Sequence, residues 1–125
     1  MKKVLVVEDN EKNLYLITFI LEKMGHRVIA ARTGEEGIDL ALREQPDLVL
    51  MDIQLPGING LETTQRIRAA EKGAGVPIIA LTSYALVGDR EQVLKAGCTG
   101  YIEKPINPET IMAEINSYLS DTRPA

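Results

Sequence analysis

Carboxylate residues directly follow two apolar segments of the chain. Glu8 and Asp9 follow KVLVV at 3–7, and Asp52 follows LVLM at 48–51. Short segments that are apolar at every position, without alternation, are typical of strands buried on both faces of a parallel sheet. Open α/β sheets bind their ligands at the carboxyl ends of such strands, so we expect the three carboxylates to lie near one another.

A group of neighbouring carboxylates supports a limited range of chemistry. Like charges at close range either share protons or hold a cation. Oxygen ligands favour hard cations, and Mg²⁺ is usually bound by one or two carboxylates together with a substrate phosphate. An aspartate beside such a cation is a possible nucleophile towards phosphorus. The simpler alternative is that Asp52 caps the following helix or accepts a hydrogen bond from a loop amide.

Two further apolar segments end in side chains of complementary chemistry. IIAL at 78–81 is followed by Thr82 and Ser83, and the segment at 101–103 is followed by Lys104 and Pro105. A hydroxyl and an ammonium group at the same edge of the sheet would both contact an anion. The four segment ends together therefore predict a rim suited to a phosphoryl group.

Four motifs in this order carry a resemblance to a known family. They are VVEDN at 6–10, MDIQLPGINGLE at 51–62, ALTSYA at 80–85 and GYIEKPI at 100–106. The chain resembles the receiver domain of bacterial two-component response regulators over nearly its whole length. It is most similar in type to stand-alone regulators of cell-division control, and the segments at 7–13 and 83–90 also resemble receivers of hybrid kinases.

The resemblance implies roles for five residues at the rim. Asp52 is expected to accept a phosphoryl group from a phosphohistidine on a sensor histidine kinase or a histidine phosphotransfer protein. Mg²⁺ is expected to be held by Glu8, Asp9, Asp52 and the backbone carbonyl of Gln54. Lys104 would stabilise the phosphoryl oxygens. The domain would supply most of the catalysis of its own phosphorylation and dephosphorylation, without being an enzyme that acts on other substrates.

The resemblance also implies a conformational output. Thr82 and Tyr101 are expected to form the switch, which changes a protein-binding surface made by the fourth helix, fifth strand and fifth helix. Gln54 and Tyr84 are expected to tune the lifetime of the phosphate. The peptide bond between Lys104 and Pro105 is expected to be cis.

Length and composition fit one domain of the ordinary globular class. The 125 residues are 45% hydrophobic and 26% charged, and we expect a receiver domain at 1–120 with a short polar tail at 121–125. The net charge of −4 offers no basic surface for nucleic acid. The longest largely apolar run, at 14–21, is too short to span a bilayer, and no secretory signal begins the chain. We therefore expect a cytoplasmic protein, monomeric or weakly dimeric, with no effector domain after Ala125.

The segments between the strands read as helices, so the chain is five strand–helix units. This alternation predicts a parallel sheet with helices on both faces. The resemblance implies a flavodoxin-like doubly wound fold with strand order 2-1-3-4-5. We expect helices after the first strand as far as Gly25, from Thr33 to Arg43, and at 61–70, 84–95 and 108–119. The residues expected on their buried faces are Leu14, Ile17, Phe19, Ile20, Leu21 and Met24 in the first helix, Ile38, Ala41 and Leu42 in the second, Leu61, Thr64, Ile67 and, inward or at the edge, Arg68 in the third, Val93 and Leu94 in the fourth, and Ile111, Met112, Ile115, Tyr118 and Leu119 in the fifth.

Other functions fit the residues less well. A phosphatase with an aspartyl nucleophile usually carries a second aspartate two residues later, where this chain has Gln54. A flavin-binding module needs an uncharged phosphate loop after the first strand, where this chain has Glu8 and Asp9. A phosphorelay intermediate and a receiver that serves only as a scaffold stay open as alternatives. The single histidine, His26, reads as a solvated turn residue, and Cys98 as a small buried apolar group.

Overall fold

Five strands alternate with five helices along the chain. The computed structural model describes residues 2–70, 73–83 and 87–119, with side chains omitted at 87–90. The strands are β1 (Lys3–Val7), β2 (Arg27–Ala31), β3 (Leu48–Asp52), β4 (Ile78–Thr82) and β5 (Gly100–Glu103). The helices are α1 (Glu11–Lys23), α2 (Gly34–Glu44), α3 (Gly60–Ala69), α4 (Val87–Lys95) and α5 (Pro108–Leu119).

The strands form one parallel sheet in the order β2-β1-β3-β4-β5. This is the predicted flavodoxin-like order, and the fold class is confirmed. The register places Val7 beside Met51 and Asp52 beside Leu81, so β1, β3 and β4 end close to one level. Their carboxyl ends therefore present the residues that follow them at one edge of the sheet.

Uniformly apolar segments form the central strands because both faces of the sheet are covered. Every residue of β3 and of β4 is buried. Apolar side chains of α1 and α5 pack on one face, and those of α2, α3 and α4 pack on the other. The outer strand β2 is more exposed and has only Ala31 fully buried.

Short polar side chains cap four of the helices. Asn10, Thr33 and Asn59 each accept a hydrogen bond from the backbone N–H three residues later, at 3.0, 3.1 and 2.9 Å. Asn107 accepts from the N–H of Glu109 at 3.0 Å. Such caps satisfy N–H groups that have no partner within the helix. These four helices therefore begin at residues whose side chains replace the missing helical acceptors.

Three residues predicted to be buried are exposed. Phe19 is 49% exposed, Leu94 is 48% exposed and Met112 is 40% exposed. Leu94 and Met112 each follow a buried residue, and successive helical residues point about 100° apart, so only one of the two faces the sheet. The next buried residue after Val93 is Ala96, which directly follows the end of α4 and is 5% exposed.

Phe19 lies outside the buried face of α1 for the same geometric reason. Its ring stacks on Tyr15, one turn earlier, with 6.5 Å between centroids. The ammonium of Lys23 lies 5.7 Å from the Phe19 centroid. The apolar face of α1 is thus narrower than predicted, and an aromatic pair lies beside it.

Some predictions fall outside the described residues. These are the start of the fourth helix at 84–86 and the tail at 121–125, so the domain limits at 1 and 120 stay a prediction. Within the described ranges, none of the helices has the length and apolar character needed to cross a bilayer.

Candidate functional site

A polar cleft of about 340 Å³ lies at the carboxyl ends of β1, β3 and β4. We call it the strand-end cleft. Its lining residues are Glu8, Asp9, Asn10, Asn13, Asp52, Gln54, Ser83 and Lys104. The structure thus brings together the predicted acids, Gln54 and Lys104. Thr82 and Tyr101 do not line this cleft.

Asp52 is the last residue of the fully buried central strand β3. It is only 4% exposed, and its Oδ1 accepts hydrogen bonds from the N–H of Gln54 at 3.2 Å and from Lys104 Nζ at 3.1 Å. The bond to Gln54 is a local turn of the kind the simpler alternative foresaw, whereas the contact with Lys104 joins residues 52 positions apart. Asp52 does not cap α3, because Asn59 does.

Lys104 is positioned by the end of β5. Its N–H donates to the carbonyl of Thr82 at 2.8 Å, which continues the pairing of β5 with β4. The peptide bond to Pro105 is cis, as the resemblance implied. The Lys104 ammonium lies 3.1 Å from Asp52 Oδ1 and 3.2 Å from Glu8 Oε1, and its side chain is 14% exposed. One cation therefore bridges the two most buried carboxylates of the cleft.

Glu8 is the most deeply buried acid of the described residues, with no exposed surface. Its Oε2 accepts from the N–H of Asn10 at 3.2 Å, while its Oε1 has no hydrogen-bond partner within the described residues beyond the ionic contact with Lys104. Burial, reinforced by the neighbouring Asp52, raises the pKa of Glu8 to about 7, although Asn10 and Lys104 oppose the shift. At neutral pH Glu8 is therefore poised to bind either a proton or a cation.

The donor set of the cleft suits a hard cation. Three carboxylates and two asparagine side chains line it, together with Gln54, and all supply oxygen. Among the described residues, the buried Oε1 of Glu8 has the Lys104 ammonium as an ionic contact and no hydrogen-bond partner, so it can also serve as a ligand to such an ion. The described residues nevertheless contain no group of three acids, histidines or cysteines already gathered tightly enough to hold a metal. The residues therefore fit Mg²⁺ with some ligands drawn from backbone, water or substrate.

Thr82 and Tyr101 lie next to the strand-end cleft. Thr82 is 8% exposed and lines a smaller apolar pocket of about 80 Å³. Gln54 and Ser83 line both this pocket and the strand-end cleft, so the two adjoin. Tyr101 pairs with Ala80 on β4 and is half-buried. Tyr84, the second residue predicted to tune phosphate lifetime, lies outside the described residues.

Several residues around the cleft were not identified from sequence. Asn13 lines it, and Asn10 both lines it and caps α1. Gly60 lies directly beneath it, because a Cβ there would overlap the carbonyl oxygen of Asp52. The signal for Asn10 was its position before a helical apolar pattern, whereas Gly60 gives no signal without the fold.

The histidine and the cysteine lie away from the cleft. Half-buried His26 accepts a hydrogen bond at Nδ1 from the N–H of Lys2 at 3.3 Å, so it is less solvated than predicted. Cys98 is buried, as predicted, with its Sγ 3.7 Å from the hydroxyl of Thr64, and burial raises the pKa of its thiol.

Comparison with curated proteins finds relatives of the same size. The polar-differentiation response regulator DivK of Brucella ovis is 44% identical over 120 residues, which cover 96% of this chain and 98% of that protein. The DivK of Brucella anthropi is 43% identical over the same coverage. The likeness to cell-division-control regulators predicted from sequence is thus confirmed.

Solved structures similar to this chain include a receiver domain and a response regulator. The receiver domain of the sensor histidine kinase PA1611 of Pseudomonas aeruginosa PAO1 is 38% identical, with a TM-score of 0.89 over 96% of this chain and 98% of that one. That structure holds a magnesium ion in its active-site cleft. Chemotaxis response regulator CheY4 of Vibrio cholerae is 28% identical, with a TM-score of 0.91 over 95% and 99% of the two chains.

The family itself is identified across most of the chain. The family model of the response regulator receiver domain matches the sequence at residues 4–116. This range includes every residue assigned above to the strand-end cleft. With the fold, the cleft and the relatives in agreement, the chain belongs to the response regulator receiver domains, signalling modules of two-component systems whose state depends on phosphorylation.

Proposed function

We propose that Asp52 is the phosphoacceptor. A phosphohistidine on a sensor histidine kinase or a histidine phosphotransfer protein donates the group. The phosphorus–nitrogen bond breaks, a phosphorus–oxygen bond forms to the Asp52 carboxylate, and the leaving imidazole takes a proton from solvent. The single observation that carries the proposal is the position of Asp52, 4% exposed at the end of the central strand with an ammonium 3.1 Å away. Attack on a dianion needs this kind of positive environment.

Lys104 supplies part of that environment. In the resting arrangement its ammonium is shared between Glu8 and Asp52. An incoming phosphoryl group adds negative charge at Asp52, and the ammonium is within reach of the new oxygens. Fixed positive charge in a partly buried site stabilises the transition state because little reorganisation is needed. Lys104 thus contributes to phosphorylation and to the later hydrolysis.

Glu8, Asp9, Asp52 and the backbone carbonyl of Gln54 are the proposed ligands of Mg²⁺. When bound, the ion neutralises charge on the transferring group and orients it for in-line displacement. The three acids line the same cleft, with Glu8 fully buried and Asp9 exposed at its mouth. Glu8 contributes directly or through a water molecule. The magnesium ion in the PA1611 receiver supports this assignment.

Thr82 and Tyr101 form the proposed switch. Thr82 ends β4, the strand beside β3, and Asp52 ends β3. Thr82 is nearly buried beside the strand-end cleft. Its hydroxyl would turn to contact the phosphoryl group, and Tyr101 would move inward behind it, which changes the surface formed by α4, β5 and α5. Phosphorylation then biases a two-state element, and the downstream protein reads the result.

The switch is tested by Thr82→Ala. This variant should still accept phosphate at Asp52, because Thr82 holds none of the reacting atoms. The backbone amide NMR shifts of β5 and α5 on phosphorylation should, however, be much smaller than in wild type. Thr18→Ala, which removes a hydroxyl from α1, is the control and should respond fully. A full response in phosphorylated Thr82→Ala would refute the switch role.

Gln54 and Tyr84 are proposed to tune the lifetime of the phosphate. Gln54 lines both the strand-end cleft and the adjoining apolar pocket, so its side chain lies where water would approach Asp52. The bulky side chain of Tyr84 would slow hydrolysis of the Asp52 phosphate by restricting the access of water to it. Release of phosphate should be faster from Tyr84→Ala than from wild type.

The phosphoacceptor proposal is tested by intact mass after incubation with acetyl phosphate and Mg²⁺. Wild type should gain one phosphoryl group in a reaction that needs Mg²⁺, and hydroxylamine should remove it. Asp52→Asn should gain none. Unchanged adduct formation in Asp52→Asn would contradict the proposal, whereas no adduct from acetyl phosphate or from a panel of kinases would favour a scaffold receiver.

A phosphorelay intermediate is the second candidate. The likeness to the receiver of a sensor histidine kinase favours it. In that case the phosphoryl group should pass from Asp52 to a histidine phosphotransfer protein faster than it hydrolyses. Transfer of a labelled phosphoryl group from the chain to the partner, rather than its release as free phosphate, distinguishes relay from output.

A further inference from the structure

A second cleft, of about 460 Å³ and of mixed polar and apolar lining, lies between β5 and α5. We call it the β5–α5 cleft. It is lined by Tyr101, Glu103, Thr110 and Glu114 and shares no lining residue with the strand-end cleft. Because β5 is the last strand of the sheet, the cleft lies at an open edge of the molecule. Within the described residues it is therefore open to solvent.

The two glutamates that line this cleft come from different elements, Glu103 from β5 and Glu114 from α5. Among the described residues neither forms an ion pair or accepts a hydrogen bond, whereas Glu11, Glu44 and Glu62 are each paired with a cation. Between 100 and 119 the chain has three glutamates, at 103, 109 and 114, and one cation, Lys104. Lys104 is occupied in the strand-end cleft, so within the part of the chain that the structure describes no cation pairs with these glutamates.

An aromatic ring adds a second kind of contact. Tyr101 lines the cleft and is half-buried. Tyr118 lies near enough to Glu114 and Tyr101 to interact with both electrostatically. Burial, and then these two neighbours, raise the pKa of Tyr118. A cation on an apolar stem gains both from carboxylates and from the face of an aromatic ring. The lining therefore suits an arginine or lysine side chain better than an anion or an apolar group.

We propose that the β5–α5 cleft binds a basic side chain, preferably arginine, of the downstream protein. The planar guanidinium donates in several directions and so can contact Glu103 and Glu114 together. This inference rests on the proposed output surface and names the chemistry of the partner that reads it. Because Tyr101 lines the cleft and is also the proposed switch residue, movement of its ring changes the shape offered to the partner.

The test uses a short capped peptide with one central arginine and the same peptide with citrulline, its neutral isostere. Backbone amides at 101–103 and 110–114 of the unphosphorylated chain should shift on addition of the arginine peptide at low ionic strength. The citrulline peptide should bind at least about fivefold more weakly, as expected for loss of two exposed ion pairs. The double variant Glu103→Gln with Glu114→Gln should show the same loss.

Glu22→Gln is the matched control, because Glu22 is exposed on α1 and has no ion pair among the described residues. It should bind the arginine peptide as wild type does. Equal binding of the two peptides, unchanged binding by the double variant, or the absence of shifts at these amides would each overturn the proposal. Intact mass of the same wild-type preparation with acetyl phosphate separates the outcomes: an adduct at Asp52 without arginine binding refutes the cleft alone, and binding without an adduct refutes the phosphoacceptor alone.

Discussion

One ammonium group balances two buried carboxylates at the centre of the site. Lys104 lies 3.2 Å from Glu8 and 3.1 Å from Asp52, and neither acid is more than 4% exposed. A buried charge that loses its partner is strongly unfavourable, so these three side chains form a unit whose members cannot be changed independently. The arrangement leaves negative charge in excess, which a divalent cation or a proton can offset.

Replacement of the bridging lysine should slow phosphorylation. Lys104→Met keeps most of the side-chain volume but removes the charge that meets the phosphoryl oxygens. We expect the rate of adduct formation from acetyl phosphate to fall roughly 100-fold. The control is Lys3→Met, since Lys3 also forms a part-buried ion pair, with Glu44 at 3.5 Å, far from the cleft. A Lys104→Met rate equal to that of Lys3→Met would show that Lys104 has no part in the chemistry.

The raised pKa of Glu8 predicts a pH dependence of stability. Without metal, the folded chain keeps a proton on Glu8 up to about pH 7, whereas the unfolded chain releases it near pH 4.5. The folded state therefore binds more protons between these values, and the free energy of unfolding falls as pH rises through that window. Glu8→Gln lacks this dependence. Relative to wild type, its free energy of unfolding should therefore increase by on the order of 2 to 3 kcal/mol between pH 4.5 and pH 7, measured by urea unfolding with chelator present. A constant difference between the two proteins across that range would contradict the shifted pKa.

At the scale of elements, the site depends on how tightly α3 begins against the end of β3. The N–H of Gly60 donates to the carbonyl of Ile53 at 2.9 Å, and the start of α3 packs against the backbone of Asp52. A Cβ at position 60 would overlap the Asp52 carbonyl oxygen and lie 2.8 Å from the Cα of Ile53. Backbone cannot rotate aside as a side chain can, so the strand end itself would have to move.

Gly60→Ala should therefore both destabilise the chain and impair the site. We expect a loss of about 1 to 3 kcal/mol in chemical unfolding, because overpacking exceeds the gain in helix propensity. Phosphorylation should slow because Asp52 is displaced. Gly75→Ala is the control, since a Cβ at Gly75 meets nothing within 4 Å. Equal stability of the two variants would show that the loop absorbs the added group without strain.

The elements also show what sequence can and cannot predict. Strands were found because runs such as 48–51 and 78–81 are apolar at every position. The four segments predicted at 3–7, 48–51, 78–81 and 101–103 agree with the observed strands to within one residue. The faces of α4 and α5 were less well predicted, because two adjacent apolar residues such as Val93 and Leu94 do not reveal which one faces the sheet. Gly60 was missed because its importance arises from a contact with the Asp52 backbone that only the fold creates. The proximity of Glu8, Asp52 and Lys104 was predicted from two observations together: each lies at or just after the end of a strand, and the four motifs resemble the family.

At the scale of the whole molecule, excess negative charge favours a cation-bound folded state. The chain carries a net charge of −4, and three acids lie at one cleft. A ligand that binds only the folded state stabilises it, by about 1.4 kcal/mol at ten times its dissociation constant. Mg²⁺ should therefore raise the melting temperature by a few degrees. Potassium chloride at equal ionic strength should not.

The ligand assignment makes that stabilisation specific to the cleft. Asp9→Asn should lose most of the Mg²⁺ effect. Asp39→Asn should keep it, because Asp39 is paired with Arg43 on α2 at 3.3 Å, outside the cleft. Equal Mg²⁺ shifts in both variants would place the ion elsewhere.

The central claim is that the Asp52 carboxylate receives the phosphoryl group, and borohydride reduction tests it most directly. Borohydride reduces an aspartyl phosphate to homoserine and leaves a free carboxylate unchanged, so the acceptor residue acquires a permanent mark. After phosphorylation with Mg²⁺ and reduction, peptide sequencing by mass spectrometry should find homoserine at position 52 and nowhere else. Reduction at Asp9 or at Glu8, or an adduct that leaves position 52 unreduced, would contradict the account.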